Sequence, residues 1–310
     1  MTPILLAATL GERINEIFYG FDMWAFHFFG SMQNGFLTAL AQLFTTICDE
    51  ALVIPTAVLG LVLCCFKKTR KFGFALVFAI IIGTLVTNVV VKPAALRIRP
   101  YNTLQGNADY WKWYVGAGQL SESDYSFPSG HTTAAFEIAV SMALVFRSEG
   151  KKKIAILLPI IALCTMGSRV YLMVHYASDV ICGLVVGTVA GVCGYYIAVA
   201  ICKAFEKSKA LDGADADKLF KKFEDKQKPK YILNKCIICV ALIAIFCAAY
   251  IPSLSEGGEN AIRCAYNAEY DCQNEAKHND DKYPAIDGKE YCKMHWKEKN
   301  AEVNGESAEE

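Results

Sequence analysis

Seven apolar stretches, near residues 24–47, 50–66, 72–91, 131–147, 153–172, 177–202 and 231–251, constrain this chain more than any other feature. A helix rises about 1.5 Å per residue, so about 20 residues cross the roughly 30 Å hydrocarbon layer of a bilayer. Within that layer each backbone N–H and C=O must be satisfied internally, and a continuous apolar run achieves this as a helix. The chain therefore reads as an all-α, polytopic membrane helical bundle. Hydrophobic residues fill 54% of its 310 positions, more than a soluble domain of this length needs. Asp22, His27 and Gln33 interrupt the first stretch, and the second is short unless Asp49 and Glu50 sit at the interface. The opening MTPILLAATLGERINEIF has only a brief apolar run and meets an acidic residue before any basic one. It reads as an amphipathic lead-in rather than a cleaved signal peptide.

Charge is balanced, with 31 basic and 31 acidic residues, and a net charge of +0 gives no reason to expect a nucleic-acid partner. Its distribution is more informative. Lys67, Lys68, Arg70 and Lys71 follow the second stretch; Arg147, Lys151, Lys152 and Lys153 follow the fourth; a third basic group runs from Lys203 to Lys230. If the spans alternate, all three lie on one face, which the positive-inside rule makes cytoplasmic. Segments 92–130 and 172–177 then face the extracytoplasmic side.

Three polar groups arrive at that outer face. Lys92 and Arg99 close the third stretch in KPAALRIRP, Ser129, Gly130 and His131 open the fourth in FPSGHTTAAF, and Arg169, His175 and Asp179 straddle the join of the fifth and sixth in SRVYLMVHYASD. On a continuous helix Lys92 and Arg99 point within about 20° of each other and can grip one anion; otherwise they snorkel to headgroups. A Ser-Gly pair at a helix N-terminus aims free N–H groups outward as an anion site, with Gly130 permitting close approach and Ser129 adding a hydroxyl. Ser129 as a simple N-cap is the plainer reading. An apolar helix gains nothing from an imidazole such as His131 at its entrance.

His175 and Asp179, spaced i, i+4, share a helix face, so an aspartate oxygen can fix the ring and leave the other nitrogen as nucleophile or base. A purely structural pair has the same spacing, but ionisable groups at membrane depth favour function. Arg169 stands about 9 Å along and about 120° around a continuous helix from His175. A break near 172–176 is needed to bring both to one ligand.

Together these motifs, K-x6-R-P from Lys92 to Pro100, P-S-G-H from Pro128 to His131 and S-R-x5-H-x3-D from Ser168 to Asp179, resemble the type 2 phosphatidic acid phosphatase (PAP2) superfamily. That superfamily also includes bacterial undecaprenyl-diphosphate phosphatases and, more distantly, vanadium haloperoxidases. The resemblance covers roughly residues 20–205 and implies a six-helix core. It also implies that His175 attacks phosphorus to form a phosphohistidine while Asp179 holds its ring. His131 protonates the leaving oxygen and then activates water, and Lys92, Arg99, Ser129, Gly130 and Arg169 bind the phosphoryl oxygens. No metal or other cofactor is implied. The substrate class is a lipid phosphate, with undecaprenyl diphosphate and phosphatidate-type lipids foremost, and phosphatidylglycerol phosphate or a lipid A phosphate equally compatible with these residues. Two rival classes use the same basic pocket: a non-catalytic lipid carrier or scramblase, which has no need of His175 with Asp179, and a vanadate-dependent peroxidase.

The expected division is a core at 1–205, a charged cytoplasmic linker at 206–230, one extra transmembrane helix at 231–251 and an extracytoplasmic, partly disordered polar tail at 252–310. The linker reads either as solvated chain or, through Leu219, Phe220 and Phe223, as an amphipathic surface helix. Between Pro100 and Pro128 a loop carries Trp111, Trp113 and Tyr114 toward the headgroup level. Glu137, about 9 Å deeper than His131, is either a buried hydrogen-bonding group or part of a proton relay. Of 13 cysteines, ten lie in or beside apolar stretches and act as small hydrophobes. In the tail, Cys264, Cys272, Cys292 and His295 suit a Cys3His zinc site, and a disulfide between two of these cysteines suits an exported tail equally well.

Overall fold

A computed structural model describes residues 9–46, 49–208, 272, 285–292, 295, 296, 299, 300 and 303. The expected linker beyond residue 208 and the seventh span at 231–251 lie outside the described residues, as does Cys264.

Helix α1 (Leu10–Ser31) begins with a capping box in which Thr9 Oγ1 accepts from Glu12 N at 3.2 Å and Glu12 Oε2 accepts from Thr9 N at 2.7 Å. It ends at a break where Asn34 Oδ1 accepts from Leu37 N at 3.0 Å and starts α2 (Gly35–Thr46). The single span expected at 24–47 is therefore two helices, and the lead-in from Leu10 onward belongs to the first. Helix α3 (Glu50–Cys64) follows. Helix α4 (Arg70–Thr84) continues through a π-helical segment (Leu85–Val91) into the single turn α5 (Lys92–Ala95). Lys92 N donates to Thr87 O, five residues back, and Pro93 has no N–H with which to restore the four-residue register.

The segment between the third and fourth apolar stretches is folded rather than a plain loop. It holds α6 (Pro100–Thr103) and α7 (Ala108–Gly116). Tyr101, Tyr110 and Tyr114 are buried in it as a stack, with centroids 5.2 Å apart for the first and third and 6.4 Å for the second and third. Their hydroxyls donate to Glu122 O, Met173 O and Leu120 O at 3.1, 2.5 and 2.9 Å. Tyr114 is thus a core residue and not a headgroup anchor, because its ring has aromatic neighbours and its hydroxyl has a backbone acceptor.

Helices α8 (Gly130–Ser148), α9 (Lys152–Tyr171) and α10 (Ala177–Lys207) complete the bundle, and α8 packs on α4, α9 and α10. Among the described residues, stretches Arg70–Thr103, Lys152–Tyr171 and Ala177–Lys207 are long and apolar enough to cross a membrane. Hydrocarbon gives apolar helices little reason to associate, so close backbone approach must supply the contact. Helix α10 provides it with a stripe of glycines. A Cβ on Gly183 would sit 2.8 Å from Ser129 O, and one on Gly191 2.9 Å from Val140 Cβ, so neither has space for a side chain.

At one end of the bundle the basic groups gather. Arg70 lies 4.9 Å from the Phe205 ring centroid, and Lys71 Nζ donates to Ser148 Oγ at 2.5 Å. The motifs KPAALRIRP, PSGH and SRVYLMVHYASD meet at the other end.

Candidate active site

The turn between α9 and α10 is the foundation of this site. Leu172, Met173 and Val174 are buried in it, and Met173 takes a left-handed conformation with φ 59°. The break required between Arg169 and His175 is present. It also takes His175 off the helix, so His175 and Asp179 are not neighbours on one helix face. Asp179 instead occupies the third position of α10, where Oδ2 accepts from Tyr176 N at 3.0 Å and lies 3.4 Å from His175 Nδ1. The pair is made by an N-terminal cap, where a carboxylate meets the positive end of the helix dipole.

Asp179 is held from several sides. Ser126 Oγ donates to Oδ2 at 2.5 Å, and Arg97 Nη1 donates to Oδ1 at 2.5 Å. Arg97 itself is enclosed: Nη2 donates to Asp22 Oδ2 at 2.7 Å, Nη1 to Ser178 Oγ at 2.7 Å and Nε to Asn15 Oδ1 at 2.8 Å. Its guanidinium also lies 3.8 Å from the Tyr176 ring centroid. Asp22 accepts from Ser178 N and Ser178 Oγ, each at 2.8 Å, so α1 is tied to the first turn of α10. Asp22, one of the three residues that interrupt the first apolar stretch, is therefore one end of a buried ion-pair network.

On the other ring nitrogen, Arg99 Nη1 lies 3.1 Å from His175 Nε2. A guanidinium only donates, so Nε2 accepts with its lone pair and the proton belongs on Nδ1, toward Asp179. His175 is fully buried, and burial first, then the positive charges of Arg99, Arg169 and Lys92, push its pKa well below the ordinary imidazole value. The ring is neutral and its lone pair points at the cations.

Those cations do converge, and what they hold is a pair of carboxylates from the segment before PSGH. Arg99 Nη2 donates to Asp124 Oδ1 at 2.5 Å and to Glu122, while Arg99 Nε donates to Asp124 O at 2.8 Å. Lys92 pairs with Asp124, and Arg169 pairs with Glu122 and donates to Thr45 Oγ1. Burial alone would raise the Asp124 pKa, but Lys92 and Arg99 outweigh it and hold the carboxyl well below the usual carboxylate range. Lys92 and Arg99 do not meet through helical spacing. Helix α5 ends at Ala95, Leu96 is left-handed with φ 51°, and Arg99 is extended, so an unwound link folds one cation back toward the other.

PSGH docks on the first turn of α10, where Ser129 N donates to Asp179 O at 3.2 Å. Ser129 Oγ accepts from Thr132 N at 3.4 Å and from Thr132 Oγ1 at 3.0 Å and so caps α8. Gly130 faces Lys92, since a Cβ there would lie 3.8 Å from Nζ. His131 stands at the rim, with Nδ1 3.9 Å from Glu122 Oε1 and Nε2 3.8 Å from Asp49 Oδ2. Glu137 lies deeper and is buried, but Oε2 makes no hydrogen bond among the described residues and presses on Gly83, so the expected buried hydrogen bond is not made at this oxygen. A separate cleft of 590 Å³ between the α1–α2 turn and α7 is lined by Gln33, Thr38, Gln42, Lys112 and Trp113, and Lys92, Arg99 and Arg169 do not line it.

Sequence reasoning missed Arg97, Asp22, Ser126, Glu122 and Asp124. Signals existed: Arg97 shares the RIRP string with Arg99, and Asp124 and Ser126 stand directly before FPSGH.

The site thus joins a buried imidazole to an aspartate on one ring nitrogen and to Arg99 on the other, with Arg169 and Lys92 adding positive charge nearby. Residues 72–202 match the family model "PAP2 superfamily". The chain is 32% identical over 172 residues to an undecaprenyl-diphosphatase of Sulfolobus acidocaldarius, covering 54% of this chain and 74% of that protein. It is 25% identical to a lipid A 4'-phosphatase of Bacteroides thetaiotaomicron, covering 49% and 64%, and 34% identical to phosphatidylglycerophosphatase B of Bacillus subtilis, covering 38% and 55%. A crystal structure of a transmembrane PAP2-type phosphatidylglycerolphosphate phosphatase from Bacillus subtilis aligns with TM-score 0.49 and 23% identity over 63% of this chain and 91% of that one. The chain belongs to the PAP2 superfamily, and it is a membrane hydrolase of phosphoester bonds.

Proposed function

We propose that this protein removes a phosphate from a lipid phosphate or diphosphate at the extracytoplasmic rim of the bilayer, through a phosphohistidine on His175. The observation that carries this reading is the polarised ring of His175: its Nδ1 faces Asp179 at 3.4 Å and its Nε2 lone pair lies 3.1 Å from Arg99. Substrate phosphate takes the place of the Glu122 and Asp124 carboxylates among Lys92, Arg99 and Arg169, with the N–H groups at Gly130 closing the cradle. Arg99 turns from Nε2 to a phosphoryl oxygen, and Nε2 attacks phosphorus. The N–P bond forms as the bond to the leaving oxygen breaks, and His131 supplies the proton that this oxygen needs. Water, deprotonated by His131, then attacks the phosphohistidine and frees Nε2 with its lone pair. Asp179 balances the positive charge that the ring carries in the intermediate.

Undecaprenyl diphosphate and phosphatidate-type lipids are the substrates that this reading favours; the name of the Sulfolobus acidocaldarius relative supports the first. The basic groups at the opposite end of the bundle support the extracytoplasmic side in this reading. The division into a core at 1–205, a linker at 206–230, a further span at 231–251 and an outer tail at 252–310 belongs to the same reading. The test is purified protein assayed against a panel of lipid phosphates and diphosphates without added metal, with acid-quench trapping of 32P-labelled enzyme. Activity and label are expected in the native protein, with turnover lowered at least about a thousandfold in His175→Ala. Near-normal turnover in that variant would sink the assignment.

A further inference from the structure

A second cluster of donor atoms comes from residues C-terminal to α10. The Sγ atoms of Cys272 and Cys292 and an imidazole nitrogen of His295 all fall within 4.8 Å of one another. Cys272 and Cys292 are 3% and 0% exposed, gathered with Tyr291 against Ile286 and Trp296. Cys292 Sγ is 3.5 Å from His295 Nδ1. Tetrahedral zinc, bonded at about 2.3 Å to sulfur and about 2.0–2.1 Å to imidazole nitrogen, places neighbouring sulfur and nitrogen ligands about 3.5 Å apart.

The backbone around the cluster is arranged to hold these atoms. Ile286 and Lys289 exchange hydrogen bonds, each of 3.0 Å, across Asp287 and Gly288, whose φ angles of 52° and 72° make the two-residue turn of a tight hairpin. The chain leaves this turn through Tyr291 and Cys292. Trp296 N donates to Cys292 O at 2.8 Å, and the His295 ring lies against the cysteine sulfur. Among the described residues the apolar core here amounts to a few side chains, and a covalent or metal staple stabilises so small a core. A disulfide would use the two sulfurs alone and gives no reason for an imidazole nitrogen at 3.5 Å.

We propose that Cys272 and Cys292, as thiolates, and His295, through its imidazole, bind a zinc ion that staples this part of the tail, with the remaining tetrahedral position taken by another donor. The site is structural and separate from the phosphoryl chemistry, so the proposal stands or falls independently of the function assigned above.

The experiment uses the full-length protein, purified in detergent from cells grown with zinc, and measures metal content together with cysteine alkylation. About one zinc per chain is expected, falling below about a tenth in Cys292→Ser and in His295→Ala. On the native protein, Cys272 and Cys292 are expected to alkylate only after a chelator is added. Replacement by cobalt should add the thiolate charge-transfer absorption of a tetrahedral site, a readout that does not depend on the variants folding. Metal-free native protein, a Cys272–Cys292 cross-linked peptide before reduction, or zinc retained undiminished in both variants would overturn the proposal.

Discussion

Arg97 shows how much a single side chain outside the substrate cradle can decide. It neutralises part of the charge of two buried carboxylates, Asp22 and Asp179, and touches neither His175 nor the cations around it. Removing one partner of a buried ion pair leaves a charge uncompensated at a cost of about 3–5 kcal/mol. Arg97→Ala should therefore lower the unfolding midpoint in detergent, and a rise in the energy of Asp179 should show as a fall in kcat with little change in KM. Arg97→Lys should restore stability in part but not kcat, because an ammonium cannot repeat the fork that reaches Asp22, Asp179 and Asn15 together.

His175 makes a pH prediction of definite sign. Its pKa in the folded protein lies below its unfolded value of about 6.5, so between the two the unfolded chain binds a proton that the folded one refuses. This contribution to stability is complete above about pH 6.5 and is lost as pH falls below it. Thermal unfolding in detergent should show a midpoint that declines from pH 7 to pH 5, and His175→Gln should flatten that slope in this range. A midpoint indifferent to pH in the native protein would contradict a neutral buried ring.

At the scale of elements, the segment between α7 and α8 works as an internal occupant of the cradle. Glu122 neutralises Arg99 and Arg169, and on the proposed function a substrate phosphate would have to displace it. Glu122→Gln removes a competitor without changing the shape of the segment, and KM is expected to fall roughly five- to tenfold, the scale of about 1 kcal/mol, with kcat preserved. A rise in KM would mean that Glu122 assists binding instead.

The same elements mark what the sequence made legible and what it did not. Lys92, Arg99, Arg169 and His175 could be assigned to one end of the bundle because hydropathy fixes membrane depth and each stands at the end of an apolar run. The route by which they meet was not legible. Helical arithmetic for Lys92 and Arg99 failed at the left-handed Leu96, and that for His175 and Asp179 failed where α10 starts two residues late. Glu122 and Asp124 read as ordinary loop acids, since their role depends on where the segment folds rather than on its pattern. Tyr114 was misread for the same reason, its buried neighbours being the other two tyrosines of that segment.

For the whole molecule, the contact between α8 and α10 is the frame that keeps PSGH beside the turn of His175. Gly191 lies at this seam, and a larger side chain there must push the helices apart. Gly191→Val is expected to destabilise the protein by about 1–3 kcal/mol, and the displacement of α8 should lower kcat even though the site lies more than two turns away. The check is a detergent unfolding midpoint alongside turnover; unchanged values for both would mean that the seam is not closely packed.

The carboxylates lodged among Lys92, Arg99 and Arg169 carry one more consequence. A cluster of bare cations in the low-dielectric rim would cling to inorganic phosphate after each turnover and stall on its own product. On the proposed function, Glu122 and Asp124 would refill the vacancy, the departing anion would be exchanged for a tethered one, and the cations would not be left uncompensated between turnovers.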